Sequence, residues 1–416
     1  MNYTAGTTNN QNLLDYPFSV CSTDDIILTL MDNDVYKLNM LQAAFMLYRS
    51  TTVEAKFQCR NDEDLRPYIG ELRQQIETFD RKAFTQDEIF YLGTLSHMKK
   101  EFLDYLRIYR LDPKCIHFTE VDGKPDIRYR GTWLGYFLWE IIILQLISEI
   151  RNRHRYPDVR MTDVRKRLFE KINWFKGMKE KHPELEKFKF ADFGTRRRFS
   201  GRVQEVVVDT LNHELKEHFV GTSNINLARK FNLTPIGTQA HEWFQAHQQL
   251  GFRLKDSQKA ALEAWVQVYR GELGIALTDC ICMDSFINDF DLYFGKLFDG
   301  LRHDSGCPFE WARKAIKMYE DMGIDPKTKT LIFSDGLDLE LAVKLFLEFH
   351  DQIDVSFGIG TNLTCDIEGV KAMNIVMKLV RVNGEPVVKL SDSPGKSMCE
   401  DQYYVDYVKE VFNYPY

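Results

Sequence analysis

From residue 186 the chain repeats one pattern: a short apolar run, a polar motif containing glycine or aspartate, then a segment with apolar residues at helical spacing. FKFAD leads into Phe193-Gly194-Thr195-Arg196, EHFV into Gly221-Thr222-Ser223, and LGIAL into Thr278-Asp279. The segment before Arg302 leads into His303-Asp304-Ser305-Gly306, TLIF into Ser334-Asp335-Gly336, and VSF into Gly358-Ile359-Gly360-Thr361. Alternating short strands and helices imply parallel strands under a helical layer, since a parallel connection must cross back over its sheet. The polar motifs all fall where strands end and helices begin, the rim that carries the chemistry of a βα-barrel. A complete or partial βα-barrel over residues 186–370 is therefore the expected α/β core.

At 416 residues the chain exceeds the usual size of one core, so a second unit is expected. Residues 21–150 mix helical patterns with β-rich runs such as VEAKFQCR and DIRYRGTW. After Lys371, MNIVMKLVRV and EPVVKL flank Asn383-Gly384, a dipeptide that supplies positive φ in a tight hairpin turn, and the hairpin is placed with the N-terminal unit. The expected plan is a tail over 1–20, an α+β domain from 21–150 with 371–416, a basic helical connection over 151–185, and the barrel over 186–370. The basic connection reads as a solvated helix face rather than a phosphate-binding patch.

A net charge of −7 argues against a general affinity for nucleic acid or anionic membrane, so any phosphate binding must be local. The eight cysteines are scattered, and Cys280 and Cys282 lack the second pair that a zinc site needs, so reduced structural thiols are expected. The polar N-terminus has neither a basic nor an apolar leader region, which points to the cytoplasm. Trp133 to Ile150 is greasy but carries Glu140, Gln145 and Glu149, and reads as a buried core helix rather than a membrane span.

Three familiar motifs fail on spacing. His241-Glu242 suggests a zinc protease, yet the next histidine, His247, lies on another helix face. Leu363 replaces the third glycine of a dinucleotide loop that would begin at Gly358, and Leu390 the first glycine of a phosphate loop ending at Gly395-Lys396-Ser397.

What remains suits a phosphorylated sugar. Gly358, Gly360 and Thr361 offer unobstructed backbone N–H groups at a helix entrance, and Arg196, Arg197 and Arg198 offer forked donors for phosphate oxygens. Asp279, Asp304 and Asp335 sit at three strand ends, where they could hold Mg²⁺ or ribose hydroxyls, or simply cap helices.

The blocks NDVYKLNMLQAAF, ADFGTRRRFS, FVGTSN, GTQAHEWFQAHQ, ALTD, GLRHDSG, FSDGLDL, SFGIGTNLTCD and VVKLSDSPGK resemble, in order and spacing, the nicotinate phosphoribosyltransferase family. The resemblance implies an irregular, incomplete βα-barrel packed against an α+β domain formed from both chain ends. It implies that nicotinate displaces pyrophosphate from phosphoribosyl pyrophosphate to give nicotinate mononucleotide, with Mg²⁺ as cofactor, ATP as co-substrate and a homodimer as the assembly. By the resemblance, Tyr36 stacks on the pyridine ring, reaching it from the neighbouring subunit; Phe193 and Arg196 contact ring and phosphate; Ser223 and Arg302 receive the carboxylate. Asp279 and Asp304 are the implied Mg²⁺ and ribose contacts, while Asp335, Gly336, Gly358, Gly360, Thr361 and Lys396 serve the sugar and its phosphates. His241 matches the family's phosphorylated histidine. Thr238 is expected to cap its helix, whose N-terminus would keep the imidazole neutral. Cys307 and Gly336 depart from the common pattern, which puts a contact at 307 in doubt. The rival enzyme on this fold is a nicotinamide phosphoribosyltransferase, against which Ser223 speaks because an aspartate there would repel an acid. A catalytically silent binding protein is the rival from another class, opposed by the joint presence of His241, Asp279, Arg302 and Asp304.

Overall fold

The computed structural model describes residues 25–61, 63–393 and 398–415, so the expected tail and Lys396 lie outside the described residues. Along the chain the strands are β1 (Thr52–Cys59), β2 (Ile116–Val121), β3 (Lys124–Thr132), β4 (Phe190–Asp192), β5 (Phe219–Thr222), β6 (Thr234–Pro235), β7 (Arg270–Leu273), β8 (Ile275–Leu277), β9 (Gly300–His303), β10 (Thr330–Phe333), β11 (Asp354–Ile359), β12 (Ile375–Val382) and β13 (Glu385–Pro386). Seven of them form a curled parallel sheet in the order β6-β5-β4-β11-β10-β9-β8. The chain therefore runs around the sheet in sequence, with β11 closing against β4, and leaves a seam between β6 and β8. The barrel is an incomplete one.

The seam has a local cause. β6 is two residues long and ends in Pro235, which has no N–H with which to extend a ladder. Side chains bridge the gap instead: Thr238 Oγ1 donates to the Ile275 carbonyl at 2.8 Å, and Arg302 Nη1 donates to the Gln239 carbonyl at 2.9 Å. The chain between β6 and β8 folds outward into helices His241–His247 and Ser257–Tyr269.

A second, antiparallel sheet has the order β13-β12-β1-β3-β2 and so joins strands from both parts of the chain. The turn between β12 and β13 has φ of 51° at Asn383 and 86° at Gly384, the positive values that the dipeptide suits. The return strand is shorter than EPVVKL suggests. Val387 N still reaches the Val380 carbonyl of β12 at 3.2 Å, after which the Gln248 side chain takes the place of a strand, accepting from Val388 N at 2.9 Å and donating to its carbonyl at 2.7 Å. This detour carries Lys389 to the barrel mouth.

Helix Trp133–Arg155 is long and apolar enough to cross a membrane, yet 94% of its apolar window is buried within the protein. Its polar residues have partners there: Gln145 Nε2 donates to the Asp32 carbonyl at 2.9 Å, Ser148 Oγ to the Arg198 carbonyl at 2.8 Å. The basic stretch behind it is not uniformly a solvated face. Arg151 is buried against Glu63, while helix Met161–Lys181 buries Val164, Leu168, Ile172 and Phe175 and exposes most of its lysines.

Candidate active site

A cavity of about 320 Å³ opens at the C-terminal ends of the parallel strands. That is the low end of the volume range for small-ligand pockets. Of the residues singled out in the sequence, Tyr36, Phe193, Arg196, Ser223, His241, Arg302, Asp304, Gly336, Gly360 and Thr361 line it.

Tyr36 arrives from its own chain. The Asp34–Asn224 bridge and the bond from Val35 N to the Ser223 carbonyl (2.8 Å) pin the start of helix Val35–Leu47 beside β5, so the expected loan of Tyr36 from a second subunit is corrected. Phe193 faces the cavity because Gly358 lies beneath it: a Cβ at 358 would stand 2.2 Å from a ring carbon. Gly358 is thus a buried floor under the ring and not a phosphate contact. The helix after Gly360 is a single turn, Thr361–Thr364, too short for the dipole expected of it.

The three arginines part company. Arg196 lines the cavity; burial opposes its charge, but Tyr36, Glu140, Asp304 and Asp34 outweigh this and hold its pKa above the ordinary value. Arg197 also lines the cavity, its pKa lowered to about 10 by burial and by Arg196. Arg198 is structural, making a fork to Asp32 at 2.7 and 2.8 Å, and leaves the expected set of phosphate donors. Asp335 likewise stands off the cavity wall, with Ser334 and Gly336 lining it instead.

His241 opens its helix, with Ala240 at the cap; Thr238 is spent on Ile275 and does not cap it. The ring Nε2 lies 2.8 Å from Asp279 Oδ1, and Nδ1 faces Asp304 Oδ2 at 3.7 Å. Asp279 Oδ2 accepts from Ser305 Oγ at 2.6 Å and Lys389 Nζ at 3.0 Å. Burial opposes the Asp279 charge, but Lys389, His241 and Ser305 together hold the carboxyl well below its usual range. His241 is lowered to about 4, by burial first and Lys389 second, so burial rather than the helix end keeps the ring neutral. A ¹⁵N NMR titration should find His241 neutral at pH 5.5, where an imidazole with a pKa of about 6.5 would be mostly protonated. A midpoint near that ordinary value would contradict the buried environment.

Ser223 does not face a ligand with a donor, as a carboxylate contact would require: its hydroxyl donates to Asp34 Oδ1 at 2.7 Å and leaves only lone pairs for the cavity. Arg302, by contrast, uses Nη1 on Gln239, stands 3.8 Å from Asp304, and its Nε makes no hydrogen bond among the described residues. Sequence reading missed Asp34, Glu140 and Lys378 on the cavity wall, and Lys389 behind it. Asp34 was within reach, since it stands two residues before Tyr36; Lys378 and Lys389 look like solvent-facing lysines in β-rich runs.

A family model described as the nicotinate phosphoribosyltransferase family matches residues 188–416, and one described as the N-terminal domain of that family matches residues 31–148. The chain is 53% identical over 390 residues to nicotinate phosphoribosyltransferase 1 of Pseudomonas aeruginosa, covering 94% of this chain and 98% of that one. It is similar to the crystal structure of nicotinate phosphoribosyltransferase from Vibrio cholerae, with TM-score 0.92 and 38% identity over 95% of this chain and 96% of that one. The corresponding crystal structure from Porphyromonas gingivalis gives TM-score 0.86 and 34% identity over 93% and 100%.

Proposed function

The chain belongs to the nicotinate phosphoribosyltransferase family, and from that premise we propose that it joins nicotinate to phosphoribosyl pyrophosphate to make nicotinate mononucleotide in NAD biosynthesis. The observation that carries this reading is Arg302, a guanidinium that lines a cavity walled by Tyr36 and Phe193 and shared with Arg196. An aromatic acid and a phosphorylated sugar need that combination of ring faces and separated cations. The pyridine nitrogen forms its bond to the anomeric carbon as pyrophosphate leaves with the bonding electrons. The fixed cations oppose the charge developing on the pyrophosphate, and the cavity supplies position.

ATP coupling belongs to His241. With Asp279 ionised, Nε2 carries the proton and donates a hydrogen bond to Oδ1, which leaves the Nδ1 lone pair facing the cavity. Nδ1 attacks the γ-phosphorus of ATP, the bond to the ADP oxygen breaks, and ADP departs; water later hydrolyses the phosphohistidine and resets the site. His241, Asp279 and Asp304 lie close enough together to suggest a metal site, with one ligand atom from each within 4.8 Å of the others. Asp279 does not fit that role, because both its oxygens are occupied and an ammonium stands beside one of them. Mg²⁺ fits as the companion of the pyrophosphate, whose charge it would neutralise, with Asp304 the carboxylate open to it. Lys396 is retained as a phosphate contact, and a homodimer as the assembly, on the family resemblance.

Acid preference rests on Arg302, since Ser223 as placed offers no donor. Incubation with nicotinate or nicotinamide, phosphoribosyl pyrophosphate and Mg²⁺, with and without ATP, tests the assignment. Product from nicotinamide alone would reverse it.

Tyr36→Ala should raise the nicotinate KM while the KM for phosphoribosyl pyrophosphate changes little, because only the ring loses a partner. Mixed oligomers of Tyr36→Ala with Arg302→Ala chains should recover no activity, since each cavity holds its own copy of both residues. Recovery would show that Tyr36 crosses between chains.

A further inference from the structure

A row of charges that the reaction above does not use runs inward from the cavity wall, with Glu140 and Lys378 on the wall and Lys37 and Glu242 buried behind it. Lys37 is fully buried and forms ion pairs with Glu140 and Glu242. The other oxygen of Glu140 lies 3.8 Å from Lys378 Nζ, and Trp133 Nε1 donates to Glu242 Oε1 at 3.4 Å. Signs alternate along Glu242, Lys37, Glu140 and Lys378, and each residue comes from a different element: helix His241–His247, helix Val35–Leu47, helix Trp133–Arg155 and β12. Lys37 directly follows Tyr36, and Glu242 directly follows His241. The ion pair therefore ties together the backbones that present the ring-stacking and phosphate-accepting side chains.

The same two segments meet at three further points. Asn39 Nδ2 donates to the Gly237 carbonyl at 2.9 Å, Ala240 N approaches Met40 Sδ at 3.3 Å, and a Cβ at Gly237 would stand 3.2 Å from Val35 and 3.3 Å from Tyr36. Stability alone is a poor reason for buried charges here, because apolar residues of similar volume usually serve a core as well; the best-attested use of such groups is to fix register.

We propose that Lys37 is a positioning residue that holds Tyr36 and His241 in fixed register through Glu242, so that recognition of the pyridine and phosphorylation of His241 depend on one another. This rests on the reading of His241 given above. The test is the double variant Lys37→Met/Glu242→Gln, which neutralises both members of the pair and leaves Glu140 with Lys378, 3.8 Å away, as its remaining cation, with folding followed by thermal melting. Because small misplacements of positioned groups cost up to about 10²-fold, the nicotinate KM and the rate of His241 labelling by γ-labelled ATP should each worsen about ten-fold, with KM for phosphoribosyl pyrophosphate within about two-fold. Glu242→Gln alone, which keeps Lys37 paired with Glu140, should move the same two readouts in the same direction and covers the case in which the double variant does not fold. Unchanged nicotinate KM in a folded variant overturns the proposal, as does an equal loss for both substrates. Absence of label on wild-type His241 would instead sink the reading of His241, and the nicotinate KM would still decide whether Lys37 positions Tyr36.

Discussion

His241→Asn should give a folded protein that makes nicotinate mononucleotide slowly and no longer responds to ATP. Asparagine can keep a donor toward Asp279, whose remaining partners, Ser305 and Lys389, are untouched, so no buried carboxylate is stranded. What disappears is the Nδ1 lone pair and with it the phosphoryl acceptor. Coupling between two linked events is typically about 5- to 150-fold, and that is the expected size of the ATP effect on kcat/KM that the variant loses. His247→Asn is the control. Its ring is buried elsewhere, with Nδ1 at 2.7 Å from the Trp243 carbonyl and Nε2 at 3.1 Å from the Tyr48 hydroxyl, so the substitution weakens packing and spares ATP coupling. Incubation with γ-labelled ATP should leave acid-labile, base-stable label on the wild type at His241; label that persists in His241→Asn would falsify the assignment.

Arg302→Ala should cost about 2 to 5 kcal/mol in kcat/KM for nicotinate, the usual loss when one partner of a desolvated charged pair is removed. Nicotinamide, which has no carboxylate, should suffer much less. Arg302 also holds the Gln239 carbonyl and so steadies the seam that leads to His241, which gives the residue a second role. Arg302→Lys separates the two: a lysine keeps a charge but cannot form the fork, and should retain part of the nicotinate preference while losing the bidentate contact. Equal losses for the acid and the amide would mean that Arg302 acts through the seam or the sugar phosphate and does not read the carboxylate.

Much of the fold was legible because strand ends, turns and helices follow local rules. The runs before Phe193, Asp279, Asp304, Asp335 and Gly360 are parallel strands, and Asn383-Gly384 does form a positive-φ turn. The buried character of the helix from Trp133 follows from its few, spaced polar residues. The order of the motifs also placed most cavity residues on one rim, since parallel strands in sequence present all their C-terminal ends together.

Local rules do not say where a side chain finds its partner once the chain is packed. Arg198 and Arg196 look alike in sequence, yet Asp32 claims the first and the second faces the cavity. Gly358 reads as a phosphate loop until Phe193 is seen to occupy the space its Cβ would need. Ser223 reads as free for a ligand until Asp34, 189 positions away, accepts the hydrogen bond of its hydroxyl. Lys37 and Lys389 carry no sign in the sequence of being buried, nor Lys378 of being half-buried, because the cost of burying an ammonium is offset only by carboxylates brought from distant elements. Near-neighbour periodicity is enough to set the strand and helix order and the rim on which chemistry sits. Tertiary structure alone decided which charges are spent on holding the site and which stay open to a substrate, because those long-range pairings exist only once the chain has folded.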